Sequence, residues 1–286
     1  MRTVARLLIA LVLCAASAPA GAATLRELVP GAVAFHNDVS SAALAEPGPR
    51  QVEALIAGET VVIRRRARSE NGLELQRVDA YALSTRPFHH LWLAATRGAP
   101  DDGGALTTIG VERHPDGRST TFGHLDLPWP LDDRWWLTAL QVDVALAEAS
   151  GGRVWARRWR LVDNAAERAT TLARDGRIEP FTVECLAAAR PLPVNEGAFL
   201  VFDLDGHHRL LAWSTAVAAG GAIPDDFFAA LAGRILRGTV ERVVSEADDV
   251  PDRYVDGASV QVDGFGRPVP HFPGALARGH ATPESP

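Results

Sequence analysis

Leu127-Pro128-Trp129-Pro130-Leu131-Asp132-Asp133-Arg134 is the stretch on which the architecture of this chain turns. It separates two runs that read as strands, Arg118 to Leu127 and Trp135 to Leu146. Side chains alternate across a strand with a period of two. Counted from Asp133, that period puts Arg134, Trp136, Thr138, Leu140, Val142 and Val144 on one face and Trp135, Ala139, Gln141 and Asp143 on the other. The first set is the inner face. Arg134 therefore points into apolar surroundings, where an unpaired guanidinium is costly. It needs a carboxylate that braces the strand junction, or an oxygen of a bound ligand.

Outward from this stretch, strand and turn signals alternate. On the N-terminal side, Gln51 to Ala57 reads as a short helix and Thr60 to Arg66 as a β-branched strand. Asn71-Gly72 reads as a hairpin turn, Leu73 to Leu83 as a second strand and Arg86 to Ala95 as a helix. Leu106 to Arg113 follows as a strand, closed by the turn His114-Pro115-Asp116-Gly117. On the C-terminal side, the turn Ser150-Gly151-Gly152 leads into a strand at Arg153 to Val162. Further strands are expected at Phe181 to Ala188, Gly197 to Asp203 and Arg209 to Val217. Asn164 to Arg177 is polar and reads as a long exposed loop. Pro224 opens a helix to Ala247, with Phe227, Phe228, Leu231, Ile235, Val240, Val243 and Val244 as its apolar face. Residues 23–49 read as a loosely packed lead-in with one turn of helix, 50–247 as the folded domain, and 248–286 as an irregular tail with a short strand at Ser259 to Val262.

Strand, strand, helix, strand meander and long C-terminal helix describe an α+β chain in which one curved antiparallel sheet wraps around one helix, because both must bury an apolar face. Residues match a known family at two places. Pro128-Trp129-Pro130 with Asp133-Arg134 resembles the proline-aromatic-proline turn and charged triplet that open a central strand in START lipid-transfer domains. Gly220-Gly221-Ala222-Ile223-Pro224 resembles the start of that family's C-terminal helix. Trp135, where the family has an acidic residue, and Ala219, where it has a proline, depart from the pattern. The resemblance implies the helix-grip fold of the START-like SRPBCC superfamily, whose members bind sterols, phospholipids, polyketides and other apolar molecules. It implies as partner a hydrophobic small molecule or lipid, with transient membrane contact, and no cofactor.

Function has to be argued from the site. Trp155, Trp159 and Leu161 share one strand face, and Leu211, Trp213, Thr215 and Val217 share another. Core packing explains each alone, but a curved sheet closed by one helix leaves space that side chains fill only in part, and ligand sites are concave and mostly apolar. The expected lining is Arg134, Trp136, Leu140, Trp155, Trp213 and Phe227. Gly220 and Gly221 before Pro224 read either as the hinge of a lid or as a tight strand-to-helix turn.

Composition sets further bounds. Arg2 and Arg6, the apolar run Leu7 to Ala16 and small residues to Ala23 have the order of a secretory signal peptide cleaved after Ala22, which predicts a periplasmic or secreted protein. Cleavage removes Cys14 and leaves Cys185 as the sole cysteine, read as a small buried hydrophobe, so no internal disulfide forms. Net charge of −6 without a basic patch argues against nucleic acid. No nucleophile elbow, phosphate loop or zinc-binding His-Glu-x-x-His helix is present, and the adjacent pairs His89-His90 and His207-His208 diverge in direction, so no catalytic or metal residues are assigned. Two other classes stay open: a cyclase or aromatase using Arg134, His124 and Asp126 in the same cavity, and a ligand-free interaction module of the envelope.

Overall fold

The structure is a computed structural model, and it describes residues 23–68, 72–96, 105–220, 223, 225–250 and 261–269. In chain order its elements are α1 (Leu25–Val39), α2 (Pro49–Ile56), β1 (Val61–Arg68), β2 (Glu74–Ser84) and α3 (Phe88–Thr96). β3 (Leu106–Arg113), β4 (Ser119–Leu125), β5 (Arg134–Val142), α4 (Val144–Ala149) and β6 (Val154–Leu161) follow. The chain continues through α5 (Ala165–Arg174), α6 (Val183–Ala188), β7 (Arg190–Pro191), β8 (Val194–Asp203), β9 (Arg209–Ala218) and α7 (Asp225–Glu246).

The strands form one sheet in the order β1-β2-β9-β8-β6-β5-β4-β3, with antiparallel neighbours; β7 pairs in parallel with the start of β5. The C-terminal helix α7 lies across β1, β2 and β9 and meets α3, burying Leu236, Val240 and Val243 against Val78, Ala80, Leu91 and Leu211. This is a helix-grip arrangement, an antiparallel sheet holding the C-terminal helix on one face.

The sheet's other face is covered as well. Val29 and Val33 of α1, with Val52 and Leu55 of α2, bury against Tyr81, Ala156, Leu200 and Ala212. Farther along, α5 and α6 place Ala169, Leu172 and Leu186 on Phe122, Trp135 and Leu137. The segment expected as a loose lead-in is thus the 15-residue helix α1. Its start is fixed by Thr24, whose N–H donates to the Glu27 carboxylate at 2.9 Å. Burial of Val29, Val33 and His36 on one helical face outweighs the break that Pro30 would otherwise impose.

Three more expectations change for related reasons. β5 stops at Val142, because the Asp143 carboxylate accepts from the Leu146 N–H at 3.1 Å and starts α4; Val144 is therefore an exposed helical residue and not part of the inner face. The polar stretch from Asn164 to Arg177 is not a long loop but contains α5, which buries Ala169 and Leu172. Phe181 to Ala188 is not a strand: the Thr182 hydroxyl accepts from the Cys185 N–H at 3.3 Å and caps the short helix α6. Cys185 is consequently exposed rather than buried, and its bonds with Thr182 hold the thiol below the ordinary value.

Residues 261–269 are irregular yet packed. The Trp92 Nε1–H donates to the Val262 carbonyl at 2.8 Å, and Phe265 meets Trp155 edge-on at 6.4 Å. Residues 1–22, read from the sequence as a signal peptide, the turn residue Asn71, and Ser259 and Val260 of the expected tail strand lie outside the described residues.

Candidate functional site

Cross-strand register sets the inner face. Ser119 faces Leu140, Leu140 faces Trp159, Trp159 faces Gly197 and Gly197 faces Thr215. The neighbouring row runs Val142, Arg157, Phe199, Trp213, Ala80 and Val62. Tryptophans on this face lie across glycines of the adjacent strand. A Cβ on Gly123 would sit 2.2 Å from the Trp136 ring, and one on Gly197 would sit 2.4 Å from Trp159 and 2.1 Å from the Ser214 carbonyl oxygen. Only glycine leaves room for an indole laid flat on the backbone.

Between this face, α3, α7 and the β3–β4 hairpin lies a cavity of about 390 Å³. Its aromatic wall is Trp92, Trp159, Phe199 and Trp213, with Phe199 and Trp213 centroids 5.3 Å apart and Trp159 and Trp213 centroids 5.7 Å apart. Leu140 and Val142 continue the wall along β5, and Thr239, Arg242 and Val243 of α7 close the opposite side. The volume falls within the ~300–1,000 Å³ of small-molecule sites, and opposite the aromatic wall the β3–β4 hairpin supplies a polar side that includes Thr108, Glu112, His114, Thr120 and Thr121.

Of the residues expected to line it, Leu140 and Trp213 do so. Trp136 has the inner parity, but its ring covers Gly123 and packs against the cluster of Leu125, Val217 and Phe228, which Leu231 and Ile235 of α7 also join. Trp155 fills the core between Phe88 at 4.8 Å and Trp92 at 5.5 Å. Phe227 is partly exposed at the start of α7, whereas Phe228 beside it is buried.

Arg134 is 2% exposed and is satisfied by backbone carbonyls instead of a carboxylate. Its Nε donates to the Ala219 carbonyl at 2.8 Å and its Nη2 to the Gly220 carbonyl at 3.0 Å, while Nη1 donates to the carbonyls of Asp132 and Asp133. Burial pulls it below the ordinary guanidinium value, which Asp132 partly offsets. The side chain ties the start of β5 to the chain leaving β9. Gly220 there has φ of +64°, the left-handed value that glycine adopts freely. Asp133 accepts from the Leu127 N–H at 2.9 Å and so closes the loop that carries Pro128, Trp129 and Pro130. Gly221 and Pro224 lie outside the described residues.

The polarising set His124 and Asp126 does not assemble in the cavity. His124 shares the outer parity of Phe122, stacks near Phe181 at 4.5 Å and approaches Asp133 at 3.5 Å; burial lowers its pKa and Asp133 partly offsets this. Asp126 is exposed.

The cavity's one deeply placed charge is Arg157. Its Nη1 donates to the Thr96 carbonyl at the end of α3 at 3.1 Å, and its Nη2 to the Ser119 hydroxyl at 2.8 Å. Its Nε is buried with no hydrogen-bond partner. Desolvation, with Arg113 nearby, pushes the guanidinium down to about 10. The available signal was parity: Arg157 lies between Trp155 and Trp159 on the same face of β6.

No family model matches the sequence, and no curated protein matches it. Among solved structures the chain is similar to human STARD10 (TM-score 0.44, 10% identity, 66% of this chain and 74% of that one). It is also similar to a STAR-related lipid transfer protein fragment from Xanthomonas axonopodis (TM-score 0.41, 12% identity, 65% and 98%). A third similarity is to the Zhui aromatase/cyclase from Streptomyces sp. R1128 (TM-score 0.37, 15% identity, 62% and 95%).

Proposed function

We propose that this chain is an exported protein that binds and carries one hydrophobic small molecule, of the lipid type, in the cavity between its sheet and α7. The observation that carries the proposal is the aromatic-walled space of about 390 Å³ on the face that α7 grips. A cyclase reading draws no support from His124 and Asp126, which stand outside that space.

Uptake of the neutral probe N-phenyl-1-naphthylamine tests the proposal, because Trp159 and Trp213 in the wall can transfer excitation to a bound probe. One probe per chain with sensitised emission is the expected result. Leu140→Arg, which puts a charge in the wall, is expected to weaken uptake at least tenfold, since a buried unpaired charge costs several kcal/mol. Emission that is unsaturable, or the same in the variant, would contradict the cavity as the site.

Delivery is proposed to involve brief contact with a membrane through Trp129, which is 92% exposed between two prolines. Its neighbours Leu127 and Leu131 pack in one cluster with Phe228, beside the exposed Phe227. Indole rings favour the membrane interface. Export itself predicts that the intact mass of the secreted protein corresponds to a chain beginning at Ala23; a mass that includes Met1 would contradict export by cleavage.

A further inference from the structure

Arg157 stands in a row whose other members are Val142, Phe199, Trp213, Ala80 and Val62. Burying a cation among such side chains is unfavourable unless an anion or a full set of acceptors compensates it. Arg157 donates to the Thr96 and Gly117 carbonyls and the Ser119 hydroxyl, and among the described residues its Nε has no acceptor. Among the described residues no carboxylate pairs with it. Two further cations line the same space, Arg113, exposed at the end of β3, and the half-buried Arg242 on α7, and among the described residues neither is in an ion pair. The other charged lining groups already have partners: Arg118 with Asp116 at 2.7 Å, and Glu112 with Arg168 at 3.3 Å. A brace between α3 and the β3–β4 turn would account for Arg157's bonds to Thr96, Gly117 and Ser119, but not for the buried Nε left without an acceptor beside the aromatic wall, with Arg242 unpaired across the same cavity.

The Ser119 hydroxyl accepts from Arg157 and keeps its own hydrogen free to donate. Arginine and hydroxyl donors side by side suit a carboxylate, which accepts charge-assisted hydrogen bonds on both oxygens. A cavity of about 390 Å³ lies near the lower end of ligand-site volumes, roomy enough for one hydrocarbon chain and too small for two.

We infer that the ligand is a single-chain apolar acid whose carboxylate rests against Arg157 and Ser119, with its tail along Trp159, Phe199 and Trp213. This rests on the cavity reading proposed above. Arg113 and Arg242 add to the positive field around the head group.

The test is displacement of N-phenyl-1-naphthylamine from the mature chain by hexadecanoic acid, hexadecanol and hexadecyl phosphate. In the unaltered protein the acid is expected to displace the probe at a concentration about 10- to 100-fold below the alcohol, the worth of a hydrogen bond to a charged group. Arg157→Met should remove that gap while leaving the alcohol within about twofold, and Arg157→Lys should restore part of it. Arg242→Gln should weaken the acid several-fold with an unchanged unfolding midpoint. Equal displacement by acid and alcohol in the unaltered protein would overturn the inference, as would a folded Arg157→Met that kept the gap or lost both ligands equally. A phosphate that outcompetes the acid would overturn the carboxylate assignment. If Arg157→Met does not fold, Arg242→Gln decides together with the unaltered protein: an unchanged preference for the acid in it counts against the inference. Absence of uptake of the neutral probe removes the cavity reading itself, whereas uptake without acid preference removes only this inference.

Discussion

Replacing Arg134 with leucine is expected to lower the unfolding free energy by about 3 to 5 kcal/mol. The guanidinium is the shared donor for the carbonyls of Asp132, Asp133, Ala219 and Gly220, and it joins the start of β5 to the chain that leads from β9 toward α7. The Asp133 carbonyl keeps the Arg190 N–H as a donor at 2.9 Å, but the others lose their guanidinium donor, and each carbonyl left buried without one costs about 1–3 kcal/mol. Leucine fills some of the volume but supplies no N–H. Arg134→Lys should fall between the two, because one ammonium cannot reproduce the planar fork that spans both segments. Urea unfolding of the three proteins measures this. A loss below about 1 kcal/mol in Arg134→Leu would show that these carbonyls find other donors and that the brace is dispensable.

A comparable loss is expected on the opposite face. Asp79 is fully buried in β2; its Oδ2 accepts from the Arg65 Nη2 at 3.0 Å and from the Ala45 N–H at 3.3 Å, while Oδ1 is buried without a partner. Arg65→Leu would leave that carboxylate without its cation, a change that costs roughly 3 to 5 kcal/mol in buried pairs. Arg65 also donates to the Ala43 carbonyl at 2.7 Å, so the segment between α1 and α2 should loosen with it. The paired change Arg65→Leu with Asp79→Leu is expected to recover most of the loss, because replacing a buried ion pair by apolar groups is often close to neutral. Denaturant unfolding of the single and double variants separates the two outcomes. Equal loss in both would mean that the pair itself, and not the stranded carboxylate, supplies the stability.

The inner half of this fold was legible because alternation and turn chemistry coincide there. β3 runs from Leu106 to Arg113 as the residues indicate, and Trp136, Leu140 and Val142 share the face that parity assigns them. The outer half was harder to read. α5 and α6 are short and α1 carries Pro30 within it, and each is held by what it covers rather than by a strong pattern of its own. A signal did exist in β5: its outward residues Trp135 and Leu137 are apolar, which a sheet with one wet face would not need. Within the site, attention to aromatic residues on β6 passed over Arg157, which has the same parity as its flanking tryptophans. Arg134 was read correctly as inward, but its partners are carbonyls distant in sequence, which spacing along one strand does not reveal.

Native mass spectrometry of the protein recovered from its own host tests most directly whether the cavity holds an apolar ligand. The expected spectrum shows the mature chain with one adduct, released on activation as a small molecule rich in hydrocarbon, and little or none of that adduct on Leu140→Arg. A mature chain that carries no adduct and takes up none of the offered probes would contradict the carrier function.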